Sequence, residues 1–371
     1  VADRGASDVA GAIADEIART GPIGFDRFME LALYGPGGFF QREASRVGPD
    51  ADFVTSPHVH PYVFSRCVRA AVLDAWAALG EPDPLAVVDL GAGDGTFPAA
   101  LRDALSELPS PAVDVTAVEI AEPARVRAGE RGIAAVPTVD DLAPFEGVAF
   151  ANELLDNLPF LLARRDGGRL REVRVATHDG TFVREEVPWH DERIGSSELT
   201  SLVDGEEASV PVGAASLLRS LAERLRGGYA IIVDYGFRGR SGRPHGYARH
   251  REVDDVLADP GAADITAGLD VDLVARLAAS AGLRAFDPVT QAGALRALGL
   301  DRWDTAMRER QAELQRDGDR SAAVRVWGSR GRASILVDPA RLGALWWIVL
   351  ATPGLPPPSW LPAALEIDAG R

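Results

Sequence analysis

The chain has 371 residues, 46% of them hydrophobic and 25% charged, with a formal net charge of −16. That length supports a sizeable core, in one domain with insertions or in two unequal domains. So acidic a balance argues against DNA or RNA as the main partner, because phosphate binding rests on a basic surface.

An acidic field instead favours cationic partners, such as basic protein segments. Cys67 is the only cysteine, which excludes an intrachain disulfide and a cysteine-rich zinc site. The N-terminal stretch ADRGASDVAGAIADEIA carries acids and lacks the long apolar core of a signal peptide. The longest apolar patch, 342–352, is too short to span a bilayer. The expectation is a soluble, cytoplasmic protein.

In chain order, Val9, Ile13 and Ile17 predict an amphipathic helix over 9–19, stopped by Gly21-Pro22. A second helix over 25–33 runs into the turn-rich aromatic segment Tyr34 to Phe40. The stretch Asp52-Phe53-Val54-Thr55-Ser56-Pro57 reads as a loop, and a long helix over 62–79 follows. Leu85 to Leu90 is a short β-branched run. It ends in Gly91-Ala92-Gly93-Asp94-Gly95 and opens a helix over 98–107.

Strand, glycine turn and helix begin a nucleotide-binding βαβ unit, where missing side chains let backbone amides approach a ligand. A dinucleotide fingerprint wants Gly or Ala at its sixth position, and Thr96 stands there. Gly-x-Gly-x-Gly after the acidic Asp89 fits S-adenosylmethionine (SAM) better than a nicotinamide cofactor. A plain glycine turn is the bland alternative. The next β-rich run, 113–120, finishes on Glu119, where an acid at a strand end can accept both ribose hydroxyls of an adenosyl group.

A helix over 121–131, a short strand near 134–137 and an apolar strand over 147–153 continue the alternation. From 160 to 189 the pattern is of short strands with turns at Asp166-Gly167-Gly168 and Asp179-Gly180, an antiparallel meander. The segment 195–211 is polar and acidic and reads as a cap. Beyond it come a helix over 214–226, strand 229–234, helix 270–281, strand 283–289, a late strand 333–337 and a proline-rich tail over 353–362. Such alternation implies a mostly parallel sheet with helices on both faces, and ligands outside the carboxyl ends of the strands. Those ends are Gly91, Glu119, Asn152-Glu153 and Asp234-Tyr235.

Asn152-Glu153-Leu154-Leu155-Asp156-Asn157-Leu158-Pro159 holds the chemistry-bearing candidates. Methyl transfer from a sulfonium is an in-line displacement, so the protein's task is to place and desolvate the nucleophile. An amide at Asn152 and carboxylates at Glu153 and Asp156 suit a guanidinium, whose planar fork matches carboxylates bidentately. A helix-capping cluster is the alternative for Asp156 or Asn157. His58 and His60 share a loop without a third clustered ligand, so no metal is expected. His245, Tyr247 and His250 lie in a basic stretch that can close over a substrate or stay solvated. Asp234 and Tyr235 either line the pocket or begin a turn. Trp346 and Trp347 read as core or interface anchors.

The strings GPI-x-F-x-x-FM-x-x-ALYGP-x-GFF, DF-x-TSP, DLGAGDGT, NELLDNLP, VDYGF, YARHR and PGAADITAGLD resemble the MidA family of SAM-dependent methyltransferases. That family includes mitochondrial methyltransferases that assist complex I assembly. The likeness runs from about Gly21 to Val337. It implies an α/β class I methyltransferase: a Rossmann-like, seven-stranded, mostly parallel sheet with N-terminal helices and an inserted β-rich subdomain. The organisation it suggests is a segment 1–80 covering the site, a SAM-binding half-core over 81–159 and an inserted subdomain over 160–213. A second half-core over 214–340, with an active-site loop at 237–268, and a tail over 341–371 complete it.

By position, Gly91, Gly93 and Gly95 would form the SAM turn after Asp89, and Glu119 would take the ribose. Thr55, Ser56 and Pro57 would lie near the cofactor, with Asn152, Glu153 and Asp156 at the substrate end. Protein arginine methylation is the implied activity, shown for the mitochondrial branch. The chain departs from the family at Leu154 and Leu155, usually aromatic, at Asn157, usually alanine, at His58, usually an acid, and at Ala51, usually glycine. These changes fall on the substrate side. They keep small-molecule O- or N-methylation open, and a SAM-binding assembly factor without turnover as a third reading. A protein or small-molecule substrate, and a homodimer, are the partners considered.

Overall fold

The computed structural model describes residues 4–41, 55–195, 199, 202–248 and 251–362. Ala51, Asp52, Phe53, Val54 and His250, singled out above, lie outside the described residues, as does part of the acidic 195–211 segment.

Helix α1 (Arg4–Thr20) ends at Gly21, and a two-residue strand β1 (Ile23–Gly24) leads into α2 (Phe25–Met29), which widens into a π turn over Glu30–Tyr34. A short α3 (Ser56–Val59) and the long α4 (Pro61–Ala78) precede the alternating part. It runs β2 (Leu85–Leu90), α5 (Thr96–Ser106), β3 (Val113–Val118), α6 (Glu122–Glu130), β4 (Ala134–Val136) and β5 (Phe145–Asn152). The meander follows as β6 (Leu161–Asp166), β7 (Arg169–His178) and β8 (Thr181–Pro188), with β9 (Glu207–Val210) beyond. Helix α7 (Val212–Arg224) returns the chain to β10 (Leu225–Asp234). Then come β11 (Gly236–Phe237), β12 (His245–Ala248), β13 (Arg251–Val253), β14 (Asp264–Thr266) and β15 (Leu269–Asp270). Helix α8 (Val271–Ser280), β16 (Arg284–Ala285), β17 (Val289–Thr290), α9 (Gln291–Ala297), α10 (Leu300–Arg316), α11 (Arg320–Ile335) and β18 (Trp346–Ala351) complete it.

The main sheet has the order β16-β18-β10-β5-β2-β3-β4, with β17 also paired to β18. Strands β4, β3, β2, β5 and β10 are mutually parallel, and β18 runs antiparallel to β10. Neighbouring residues along a strand point to opposite faces, and the core divides accordingly. Val87, Val148, Phe150, Ile231 and Trp347 pack with Phe64 of α4 and Leu101 of α5, while Val88, Ala149, Ile232 and Ile348 pack with Leu218 of α7 and Val274 of α8. Burial on both faces explains why β10 reads as an unbroken apolar run rather than an alternation.

The meander forms a second sheet, β1-β7-β6-β9 with β8 on β7. Its inner face shares one core with the N-terminal helices: Ile13, Phe25 and Phe28 pack with Phe160, Leu162, Val173 and Val175. The N-terminal segment and the insertion are therefore welded together.

Two expectations fail. The run Ala333 to Val337 is not a strand; it overlaps the end of α11, with Ala333 and Leu336 buried. A short apolar run has no period long enough to distinguish strand from helix. The antiparallel strand is instead Trp346–Ala351, inside the patch singled out for its hydrophobicity. The run 283–289 breaks around Pro288 into β16 and β17, so the sheet holds eight strands where seven were expected. Among the described residues no helix is long and apolar enough to cross a membrane.

Candidate functional site

A cleft of about 870 Å³ opens over the carboxyl ends of β2, β3 and β5, under α2, the π turn and α3. Its floor is the glycine turn. Gly91, Gly93 and Gly95 have φ of 69°, 55° and 79°, left-handed values that other residues adopt only with strain. Each glycine answers a different need. A Cβ on Gly91 would stand 2.7 Å from Leu154 Cδ1, and one on Gly95 would stand 2.7 Å from the Cα of Ala128 on α6. Gly93 lines the cleft, and a Cβ there would meet no protein atom within 4 Å. Its bare backbone leaves room for a ligand, as an adenosyl cofactor requires.

Glu119 closes this floor. Its carboxylate accepts the Gly93 N–H at 2.9 Å and the Ala121 N–H at 2.8 Å, which fixes it beside the turn with lone pairs left for a ligand. Burial raises its pKa. Asp89 is buried at the end of β2 and also lines the cleft, its pKa raised well above the ordinary value by burial and then by the Glu119 charge.

At the end of β5 the backbone of Glu153 adopts φ 51°, a strained value for a long side chain. Its carboxylate lines the cleft and accepts the Ser56 N–H at 3.1 Å and the Asn152 amide at 2.9 Å. Burial pushes its pKa up to about 7, against the lowering effect of these bonds and one from Tyr235. Asn152 Oδ1 is buried without a partner, so the site presents a carboxylate and an unmet amide acceptor together.

The turn that carries Glu153 hangs on Asp234. This fully buried carboxylate accepts the N–H groups of Leu154, Leu155 and Asp156 on one oxygen and that of Tyr235 on the other. Burial, and next the Asp156 charge, holds it well above the carboxylate range. Asp156 does not line the cleft. It is buried and accepts the Thr266 hydroxyl at 2.6 Å, with burial raising its pKa. Nor does Ser56 reach the cleft with its side chain; its hydroxyl is paired with Gln291, while Thr55 and Pro57 do line the cleft.

Several residues of the site were not singled out from the sequence. The Tyr34 hydroxyl donates to the Asn157 carbonyl at 3.1 Å, and the Asn157 amide donates to Asp264 at 2.7 Å and to the Ile265 carbonyl at 3.3 Å. Tyr34 sits inside the quoted string that ends in GFF, and Asp264 and Thr266 inside PGAADITAGLD. Gln291 gave no signal at all. His60 turns away from the cleft: one ring nitrogen accepts the Val63 N–H and the other meets Ser329 Oγ at 2.9 Å. Among the described residues no group of three His, Cys, Asp or Glu is placed to hold a metal. His245 and Tyr247 lie on β12, and a charge on His245 would favour ionised Asp156. Trp347 is in the core, and Trp346 donates to the Gly236 carbonyl.

A glycine turn and a strand-end acid at the switch point of a mostly parallel sheet, beneath an enclosed cleft, define a SAM-dependent methyltransferase. The chain belongs to the family described as "Putative S-adenosyl-L-methionine-dependent methyltransferase", whose model matches residues 67–289. SAM is its cofactor.

Among its relatives is the Drosophila melanogaster protein named protein arginine methyltransferase NDUFAF7 homolog, mitochondrial, 25% identical over 95% of this chain and 87% of the relative. The Xenopus laevis protein arginine methyltransferase NDUFAF7, mitochondrial, is 26% identical over 77% of this chain and 73% of its own. A solved structure from Burkholderia thailandensis, bound to S-adenosyl-homocysteine, superposes with a TM-score of 0.81 at 26% identity, covering 95% of this chain and 94% of that one.

These relatives correct one expectation. Those from fly, frog and human are named as mitochondrial, so the cytoplasmic placement does not stand. Acidity and short apolar runs, on which that expectation rested, carry no information about compartment.

Proposed function

We propose that the protein transfers a methyl group from SAM to an arginine guanidinium of a protein substrate. The observation that carries this is Glu153: a half-buried residue lining the cleft on a strained backbone, its carboxylate accepting the Asn152 amide N–H while the Asn152 oxygen is left unmet. The names of the relatives support the same acceptor. When bound, SAM supplies an electrophilic methyl on a sulfonium. Asp89, Gly91, Gly93, Gly95 and Glu119 form the cofactor's bed, with Thr55 and Pro57 above it and Ser56 tying that segment to Glu153.

Glu153 and Asn152 grip the guanidinium and turn one nitrogen toward the methyl carbon. Asp156 acts as a positioning residue through Thr266 and the turn. Arginine enters as a cation. The new N–C bond forms as the C–S bond breaks, the methylated group sheds one proton, and Glu153, with a pKa near 7, is suited to take it.

The sheet order, with β2 central and β18 the antiparallel strand, supports a class I core with the 160–213 insertion folded onto the 1–80 segment. The net charge of −16 supports a basic protein segment as partner rather than a nucleic acid. Leu154, which lines the cleft where the resembled family carries an aromatic, favours a second reading, a small-molecule acceptor in a reshaped pocket; Leu155, the other such change, is buried in the core.

The test is transfer of labelled methyl from SAM into a lysate of the host lacking this protein, with Glu119→Ala as control. Label that hydrolyses to methylarginine supports the proposal. Label in organic-extractable compounds, with none in protein, refutes it in favour of the second reading.

A further inference from the structure

His58 lines the cleft beside Gly91 to Asp94 and is only half-buried. Its Nδ1 lies 2.9 Å from Thr55 Oγ1. Thr55 is the N-cap of α3, yet its hydroxyl makes no capping bond; it serves the ring instead. Thr55 is buried, and a buried hydroxyl proton needs an acceptor. Nδ1 is the acceptor in reach, which leaves the ring proton on Nε2. Burial also lowers the pKa of His58, in keeping with a neutral ring.

The other donors at this end of the cleft are committed. The Asn152 amide donates to Glu153, the Tyr34 hydroxyl to Asn157, and Arg131, behind the turn, to Asp94. The carboxylates Asp89, Asp94, Glu119 and Glu153 line the cleft around the turn, with Arg127 on the Glu119 side. Among the described residues on the α3 side of the turn, an anionic ligand group meets the Nε2–H of His58.

The orientation of the ligand follows from the cofactor placement proposed above, on which this inference rests. With the ribose on Glu119, the base falls toward Ile120, Thr138 and Val139, which line the cleft beyond it. The amino-acid end then falls toward the glycine turn and α3. We infer that His58 binds the carboxylate of the cofactor's amino-acid end through Nε2–H, with Thr55 fixing the tautomer. His58 is thus a specificity-determining residue, selecting adenosyl ligands that carry the amino acid over those that lack it.

The test compares two ligands by calorimetry on the full chain: S-adenosyl-homocysteine and 5′-methylthioadenosine, which keeps the adenosine and sulfur but not the amino acid. His58→Ala is expected to weaken S-adenosyl-homocysteine about tenfold, as for one lost hydrogen bond to a charged group, and 5′-methylthioadenosine less than about twofold. Equal loss of both ligands, or no loss of S-adenosyl-homocysteine, overturns the assignment. Should His58→Ala not fold, Thr55→Val removes the tautomer-setting hydroxyl at constant size. A selective loss of S-adenosyl-homocysteine again supports the inference, and equal loss or none overturns it. Wild-type protein that binds neither ligand, or Glu119→Ala that binds both normally, refutes the cofactor placement itself and this inference with it.

Discussion

Replacing Glu153 by Gln separates the proton held at this site from the shape of the site. Burial raises the Glu153 pKa from an ordinary 4.5 to about 7. The folded state therefore holds this proton more tightly than the unfolded chain does. The stability so gained is complete below pH 4.5 and is lost as pH rises through 7. At 1.36 kcal/mol per pH unit the loss is about 3 kcal/mol.

Gln keeps the acceptor for the Ser56 and Asn152 N–H groups and does not titrate. Thermal melts of both proteins from pH 4.5 to 8 should diverge, the variant gaining on wild type by about 3 kcal/mol. For a chain of this length that is about 4 °C in Tm. Methyl transfer should fall by at least about a hundredfold, with S-adenosyl-homocysteine binding within about twofold. Two melting curves that stay parallel across this range would refute the account of a proton held on Glu153. Loss of cofactor binding in step with turnover would refute its placement at the acceptor end.

The glycines should separate by role. Gly93→Ala, whose Cβ meets no protein atom but whose φ of 55° strains any other residue, is expected to cost about 1–2 kcal/mol in a denaturant melt and to weaken S-adenosyl-homocysteine at least about tenfold by calorimetry. Gly95→Ala, with its Cβ 2.7 Å from the Ala128 backbone at φ 79°, should instead cost about 2–3 kcal/mol in a denaturant melt. Asp234→Ala strips the acceptor from the N–H groups of Leu154, Leu155, Asp156 and Tyr235 and should cost about 3 kcal/mol or more. A stable Asp234→Ala that still turns over would show that another group holds the Glu153 turn. Glu119→Ala should lose S-adenosyl-homocysteine and 5′-methylthioadenosine alike, since both carry the ribose; selective loss of one would move the ribose elsewhere.

The legible part of the sequence was the part whose signal is local. Strand, glycine turn and helix over 85–106 follow one another without a break, so periodicity and glycine spacing locate the floor of the cleft directly. The acid at 119 and the pair at 152–153 could be read because strand ends are where a parallel sheet exposes its ligands. What escaped was contact across sequence distance. Nothing local to Gln291 says that it will meet Ser56, or that Thr266 will meet Asp156. The same blindness misplaced the last strand: Trp346–Ala351 belongs in the sheet through its pairing with β10, while Ala333 to Val337 offered the same apolar run and lies at a helix end. Asp156 looked like Glu153 in sequence, a carboxylate three residues on, but the 3₁₀ turn over Leu155–Asn157 points it into the protein instead of the cleft.

That turn also draws together residues from the segments 21–40 and 260–270, far apart in the chain. Glu153 occupies a left-handed conformation that costs about 1–3 kcal/mol, and such strain persists only where the surroundings over-determine it. Asp234 holds the turn from below through its N–H groups. Tyr34 and Asp264 hold Asn157 from either side, and Thr266 holds Asp156. Removing any one holder lets the backbone relax toward an ordinary φ, and the carboxylate leaves the Ser56 N–H that fixes it over the cofactor floor. On the proposed role of Glu153, the segments 21–40 and 260–270 serve the chemistry indirectly, by bracing the turn that carries one strained residue.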